Sequence, residues 1–358
     1  MTIYFRIPKS VGWFAFVLLL SLVMVAASLP VTRLLYSPRM QGEDLPSANA
    51  AFPLGHLIGG FSISSMSNAA SAASDGVQTI FTYGPAYPSN SAMGRTIGAT
   101  LHMTQVESQP WELLYQYECH RLVTLHKPWN GYCSQDYPEM TLSALLAGVK
   151  SDILTARQNN QVVGVWILDD WPAADPGGAA SILPSIAQII HSFAPHMPTI
   201  CGFGAELGPH HTDIFDSAVF ANYSPAACNE VALYIYSEPV ANGATTTTFD
   251  WSMSTLLPKI WSTLRARGWN LRASPVIGIP QAFGGARTST PNTVEATPTA
   301  SEIAQQSASF CKAGASGVVY YAWYDSSLTN LQTPANNAAI EQGVRAGIQA
   351  CKTIWKQA

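Results

Sequence analysis

The chain has 358 residues, enough for one α/β barrel or two ordinary domains, and no linker divides it. Charged residues make up only 11%, against about a quarter in an average protein, and the formal net charge is −4. That balance excludes the basic footprint of a nucleic-acid-binding protein and suits an exported one.

Arg6 and Lys9 precede an apolar run from Val11 to Leu29, just long enough to span a bilayer. Residues 1–10 are therefore expected in the cytoplasm, 11–29 in the membrane, and the rest outside. Val25 and Ala27 also fit a signal-cleavage site, so a cleaved signal and a retained anchor both remain open; the length of the run favours the anchor. Residues 30–54, with Pro, Gly, Ser and Asn and no apolar period, read as a linker from membrane to domain.

From Gly55 onward, strand and helix patterns alternate. His56–Ile63 and Val77–Tyr83 read as strands, with an Ala/Ser-rich helix between them. Ile97–Met103 is expected as a third strand, Trp111–Leu125 as a helix, and Leu142–Asn159 as an amphipathic helix. Val162–Leu168 is a nearly unbroken apolar run, the pattern of a strand covered on both faces. It ends on Asp169 and Asp170, followed by Trp171 and Pro172. Ala179–Phe193 reads as a helix, and Pro198–Glu206, Ser217–Tyr223 and Val231–Glu238 as strands. Met253–Arg267 is expected as a helix, Ser274–Phe283 as a strand, Ser301–Lys312 as a helix, Gly317–Asp325 as a strand and Asn336–Trp355 as the closing helix. About eight buried strands with polar tips, separated by helices, predict a closed (β/α)₈ TIM barrel over 55–358. The rival doubly wound sheet needs a glycine-rich phosphate turn after its first strand, which Gly59-Gly60 does not supply.

The six cysteines, an even count in an exported chain, predict disulfides. Sequence proximity favours Cys119–Cys133, Cys201–Cys228 and Cys311–Cys351. Zinc is the rival for the first pair, since His120 and His126 lie between the two cysteines, but the spacing fits no CxxC-type site. His210 and His211 with Asp213 are a second metal candidate, although adjacent histidines on a turn point apart. No metal and no cofactor is expected; P-loop, Rossmann and G-x-S-x-G fingerprints are absent from the sequence.

In a barrel the chemistry sits at the C-terminal tips of the strands. Those tips carry Asp169, Asp170, Glu206, Glu238, Gln281 and Asp325, with Tyr83, Trp171, Tyr223, Tyr236, Tyr321 and Trp323 among them. Carboxylates to move a proton on a glycosidic oxygen, and aromatic faces to stack on a pyranose, are what a sugar site needs. The segment GVWILDDWP resembles the fourth-strand signature of barrel glycoside hydrolases, Gly-aromatic-aliphatic followed by Asp-Glu-Pro. SPVIGIPQAFGG resembles their seventh strand and GVVYYAWYD their eighth. The resemblance covers about the last two-thirds of the chain and implies a carbohydrate substrate. Asp170 then stands where that family has its acid/base Glu, one methylene shorter. Gln281 stands where the nucleophilic Glu would end the seventh strand, and an amide cannot be that nucleophile. Either Glu206 or Glu238 replaces it, or the mechanism is inverting, or the barrel only binds glycans or serves surface interactions. The expected arrangement has Asp170 as general acid beside Asp169, Glu206 or Glu238 as partner, and Gln281, Tyr236 and Trp323 holding the sugar.

Overall fold

The computed structural model describes residues 56–124, 139–169, 178–205, 227–236, 239–241, 257–266, 269–270, 275–287, 293–325 and 328–357. All of them fall in one compact unit, Ala48–Ala358. The expected N-terminal membrane segment and the linker lie outside the described residues. Among the described residues, no helix is long and apolar enough to cross a membrane.

Eight parallel strands close a barrel. They are β1 (Leu57–Phe61), β2 (Thr79–Phe81), β3 (Thr104–Glu107), β4 (Val162–Leu168), β5 (Thr199–Ala205), β6 (Glu230–Ile235), β8 (Val276–Pro280) and β11 (Gly317–Tyr320). Each pairs with its neighbour around the ring, and β1 closes on β11. The predicted (β/α)₈ barrel is the observed fold. The strand expected at Ser217–Tyr223 lies outside the described residues, and the ring closes without it.

Helices α1 (Met66–Asp75), α2 (Ala92–Arg95), α3 (Gln109–Thr124), α4 (Leu142–Ala156), α5 (Gly178–Phe193), α6 (Leu257–Ala266), α7 (Ala300–Lys312) and α8 (Ala338–Gln357) accompany the strands. Their starts follow from side-chain chemistry. Ser65 and Thr141 accept from backbone N–H groups of the first turn, and Thr299 with Glu302 forms a reciprocal capping box.

Strand alternation sorts the core into two clusters. Phe61, Phe81, Val106, Trp166, Ile200, Ala232, Tyr234, Ile277, Ile279 and Val319 fill the barrel interior. Ile58, Ile80, Val165, Ile167, Val231, Leu233 and Val318 face the helices instead. Trp166 fits inside because its neighbour on β5 is Gly202, where a Cβ would stand 2.4 Å from the indole.

Two departures from the sequence pattern have clear causes. The third strand is Thr104–Glu107, while Thr96–Thr100 forms a π-helical turn in the stretch read as strand. The true strand is polar at Gln105 and Glu107, so it carries no apolar signature. Those side chains are buried against loops, where the Ala86 and Tyr87 N–H groups donate to Glu107 and Gln105 at 2.8 Å. The second departure is a small antiparallel sheet of β7 (Pro239–Ala241), β9 (Gly284–Arg287), β10 (Thr293–Glu295) and β12 (Leu328–Gln332). These strands belong to the segments leaving the C-terminal ends of β6, β8 and β11, so three neighbouring barrel strands share one added sheet.

Two predicted disulfides are present, Cys201–Cys228 and Cys311–Cys351. In the chain-entropy model, loops of these lengths are worth about 3.5 and 4 kcal/mol. Cys119 is also disulfide-bonded, to a partner outside the described residues.

Candidate active site

Asp169 follows β4 directly, and its orientation depends on a bulge. Trp166 points into the barrel and pairs with Ile200. Strict alternation would then send Leu168 and Asp170 inward and Asp169 outward. The register slips instead, so that Leu168 pairs with Cys201 on the helix-facing side. That one-residue shift turns Asp169 toward the mouth, where its Oδ1 accepts from the Tyr234 hydroxyl.

Tyr234 is one of several aromatic residues lining this end of the barrel. Its ring centroid lies 5.5 Å from Tyr236 and 6.2 Å from Tyr321. Phe283 packs edge-on against both Tyr236 and Tyr321, at 5.1 and 5.4 Å. Tyr83 stands 6.3 Å from Tyr321 on one side and 5.4 Å from Trp111 on the other. Tyr83 keeps 41% of its surface exposed, so the collar is open to solvent on that side.

The Tyr321 hydroxyl donates to Asp325 Oδ2 at 2.9 Å. Desolvation in the collar, reinforced by the charges of Asp325 or Asp169 and by neighbouring tyrosines, holds the Tyr83, Tyr234 and Tyr321 hydroxyls well above their ordinary range. They remain protonated donors throughout the physiological range. The charge of Asp169 contributes to the upward shift of all three.

Gln281 and Trp323 occupy different surroundings from those expected. Gln281 is 0% exposed, and its side-chain amide donates to the Phe283 and Ala296 carbonyls at 3.1 and 2.9 Å. Its N–H donates to Gln306 on α7, and Gln306 also donates to the Ile235 carbonyl at the end of β6. The amide thus anchors the rim of β8. Trp323 is 1% exposed and packs on the outer face of β1, where a Cβ on Gly60 would come within 2.5 Å of its ring. A ring so enclosed presents no face for a sugar to stack on.

Asp170, Trp171, Glu206, Tyr223 and Glu238 lie outside the described residues, as do His126, His210, His211 and Asp213. Among the described residues no group of three or more potential ligands could hold a metal ion. The sequence reading missed Tyr234, Trp111, Phe283 and Gln306. Tyr234 was within reach of it: Tyr234 and Tyr236 are two apart, so a strand puts them on the same face.

No protein-family model and no curated protein matches the chain. The fold does match solved glycoside hydrolase barrels. A class V chitinase from Pseudomonas fluorescens aligns over 82% of this chain and 99% of its own, at 10% identity and a TM-score of 0.50. An endo-β-1,4-mannanase from Thermotoga petrophila aligns over 84% and 77%, at 7% identity and TM-score 0.53. An endo-1,4-β-mannanase from Rhizomucor miehei aligns over 84% and 95%, at 10% identity and TM-score 0.51. At these identities the likeness is one of fold.

Proposed function

We propose that the chain is an extracytoplasmic glycoside hydrolase that cleaves a poly- or oligosaccharide by carboxylate acid/base catalysis. One observation carries this reading: a carboxylate, Asp169, stands at the mouth of a parallel barrel inside a collar of tyrosine hydroxyls and aromatic faces. Aromatic faces suit the apolar face of a pyranose, and tyrosine hydroxyls suit its hydroxyl groups. The carboxylate supplies the proton chemistry that glycosidic cleavage needs. The fold shared with a chitinase and two mannanases supports the same reading.

In this reading Asp169 takes the part that the sequence motif alone assigns to Asp170, and Tyr234 positions it. The second carboxylate comes from Asp170, Glu206, Glu238 or Asp325. The disulfides agree with an oxidising compartment outside the cytoplasm, reached through the N-terminal apolar segment. A polysaccharide hydrolysis screen on the purified, unreduced chain tests the activity. Release of reducing ends from at least one glycan, lost in Asp169→Asn, supports it; binding without turnover would discard it.

Binding without turnover is the second reading, a carbohydrate-binding barrel without catalysis. It is favoured by Gln281, which puts a backbone-anchored amide, and no acid, at the tip of β8.

A further inference from the structure

The tips of β2 and β3 are tied together by hydrogen bonds outside the barrel ladder. The Thr82 hydroxyl lies within donating distance of the Gly84 and Val106 carbonyls, at 2.9 and 3.0 Å. Gly84 turns the chain at a φ of +97°, and its carbonyl accepts from the Ser108 N–H at 3.3 Å. Glu107 is buried beside this turn. One of its oxygens accepts from the Ala86 N–H at 2.8 Å and the other from the Gln109 N–H at 2.9 Å. Gln109 opens α3, so the carboxylate also stands at a helix N-terminus, where negative charge is favoured. One side chain therefore grips both the segment leaving β2 and the segment leaving β3.

Those two segments carry aromatic residues of the collar. Tyr83 sits just before Ala86, and Trp111 just after Gln109. Their ring centroids are 5.4 Å apart and the rings are tilted by 54°. Tyr115, one turn further along α3, backs Trp111 at 5.7 Å. Tyr83 is exposed and Trp111 half-buried, so the pair presents aromatic surface at the edge of the mouth.

We propose that Glu107 is the positioning residue of a sugar-binding platform formed by Tyr83 and Trp111. This rests on the carbohydrate reading above and names one of its subsites. The apolar face of a pyranose stacks on the rings. With both segments held by one carboxylate, the platform is ordered before the sugar arrives, and binding loses less to loop ordering. Loosening it should weaken binding more than the chemistry at Asp169.

The test is a double-mutant cycle in the full, unreduced chain, on a glycan found by the hydrolysis screen. KM and kcat are read where the glycan is cleaved, and Kd where it is only bound. Trp111→Leu should raise KM about tenfold, the upper end for one aromatic contact. Glu107→Ala deletes both backbone bonds and should also raise KM about tenfold, with a smaller effect on kcat. Glu107→Gln keeps one acceptor oxygen and should recover part of the loss, leaving KM raised about threefold; it carries the cycle if the alanine variant does not fold. Combined with Trp111→Leu, the Glu107 change should add clearly less than its effect alone. Effects that multiply in full, or that fall on kcat alone, would overturn the positioning role and leave the hydrolase reading standing. A glycan bound but not cleaved would discard the hydrolase reading, while the same cycle in Kd still decides the platform. Binding to no glycan would overturn both.

Discussion

Asp169 and Glu230 are both carboxylates at inward-facing positions of one barrel, at opposite ends of it. Asp169 follows the C-terminal end of β4 and is held by a tyrosine hydroxyl at an open mouth. Glu230 opens β6 at the floor, beside Ile200, and is 1% exposed. Neither of its oxygens has a hydrogen-bond partner. Trp166, Phe61 and Phe81 lie in the interior between these two levels. The contrast is between a carboxylate with a donor and solvent exposure and one with neither; desolvation by burial alone holds the Glu230 carboxyl well above its ordinary range.

The sharpest way to break the contrast is to neutralise the mouth. Asp169→Asn should lower hydrolysis of a substrate found by the screen by about 10²–10⁴-fold, with the thermal midpoint nearly unchanged. A variant that keeps full turnover would show that the mouth carboxylate is no more catalytic than the floor one.

Removing only the donor is the next step down. Tyr234→Phe keeps the ring and its packing but deletes the hydrogen bond to Asp169. A bond to a charged group is worth about 1.5–3 kcal/mol, so kcat/KM should fall by roughly ten- to a hundredfold. The loss should appear in kinetics and not in the melting curve.

The floor gives the opposite result. The folded chain holds the Glu230 proton to higher pH than the unfolded chain does, whose glutamates titrate near about 4.3. Stability contributed by this group is therefore complete below that value and is lost as pH rises toward the raised folded value. Glu230→Leu removes the buried carboxyl, and urea unfolding at neutral pH should show a gain of about 1–2 kcal/mol with a flatter pH dependence. Glycan hydrolysis should be unaffected.

The outer wall supplies the smallest effect. Burial first, and the neighbouring Glu107 second, push Asp152 on α4 up to about 8. Stability from this group should decline as pH rises from the ordinary aspartate range through about 8. Asp152 is only half-buried, so solvent screens it. Asp152→Asn should shift unfolding by under about 1 kcal/mol, and the shift should grow from the ordinary aspartate range to about pH 8 and level off above it.

The amino-acid pattern by itself determined the barrel. Buried parallel strands must be apolar on both faces, and β4, β6, β8 and β11 announce that without reference to anything distant. Nearness in sequence was enough to pair Cys201 with Cys228 and Cys311 with Cys351, because each pair closes a short stretch of chain, 27 and 40 residues apart. What the sequence left open was every feature that depends on contacts between separate strands. That Asp169 faces the mouth turns on a register slip between β4 and β5, and no pattern within β4 encodes it. The polar strand β3 forms because loops around Ala86 and Tyr87 supply hydrogen bonds to Gln105 and Glu107. Trp323 and Gln281 read as ligand-facing residues until Gly60, Gln306 and the turn after β8 surround them. Periodicity is a local property of the chain, whereas register, burial and hydrogen-bond partnership are settled only when distant segments meet.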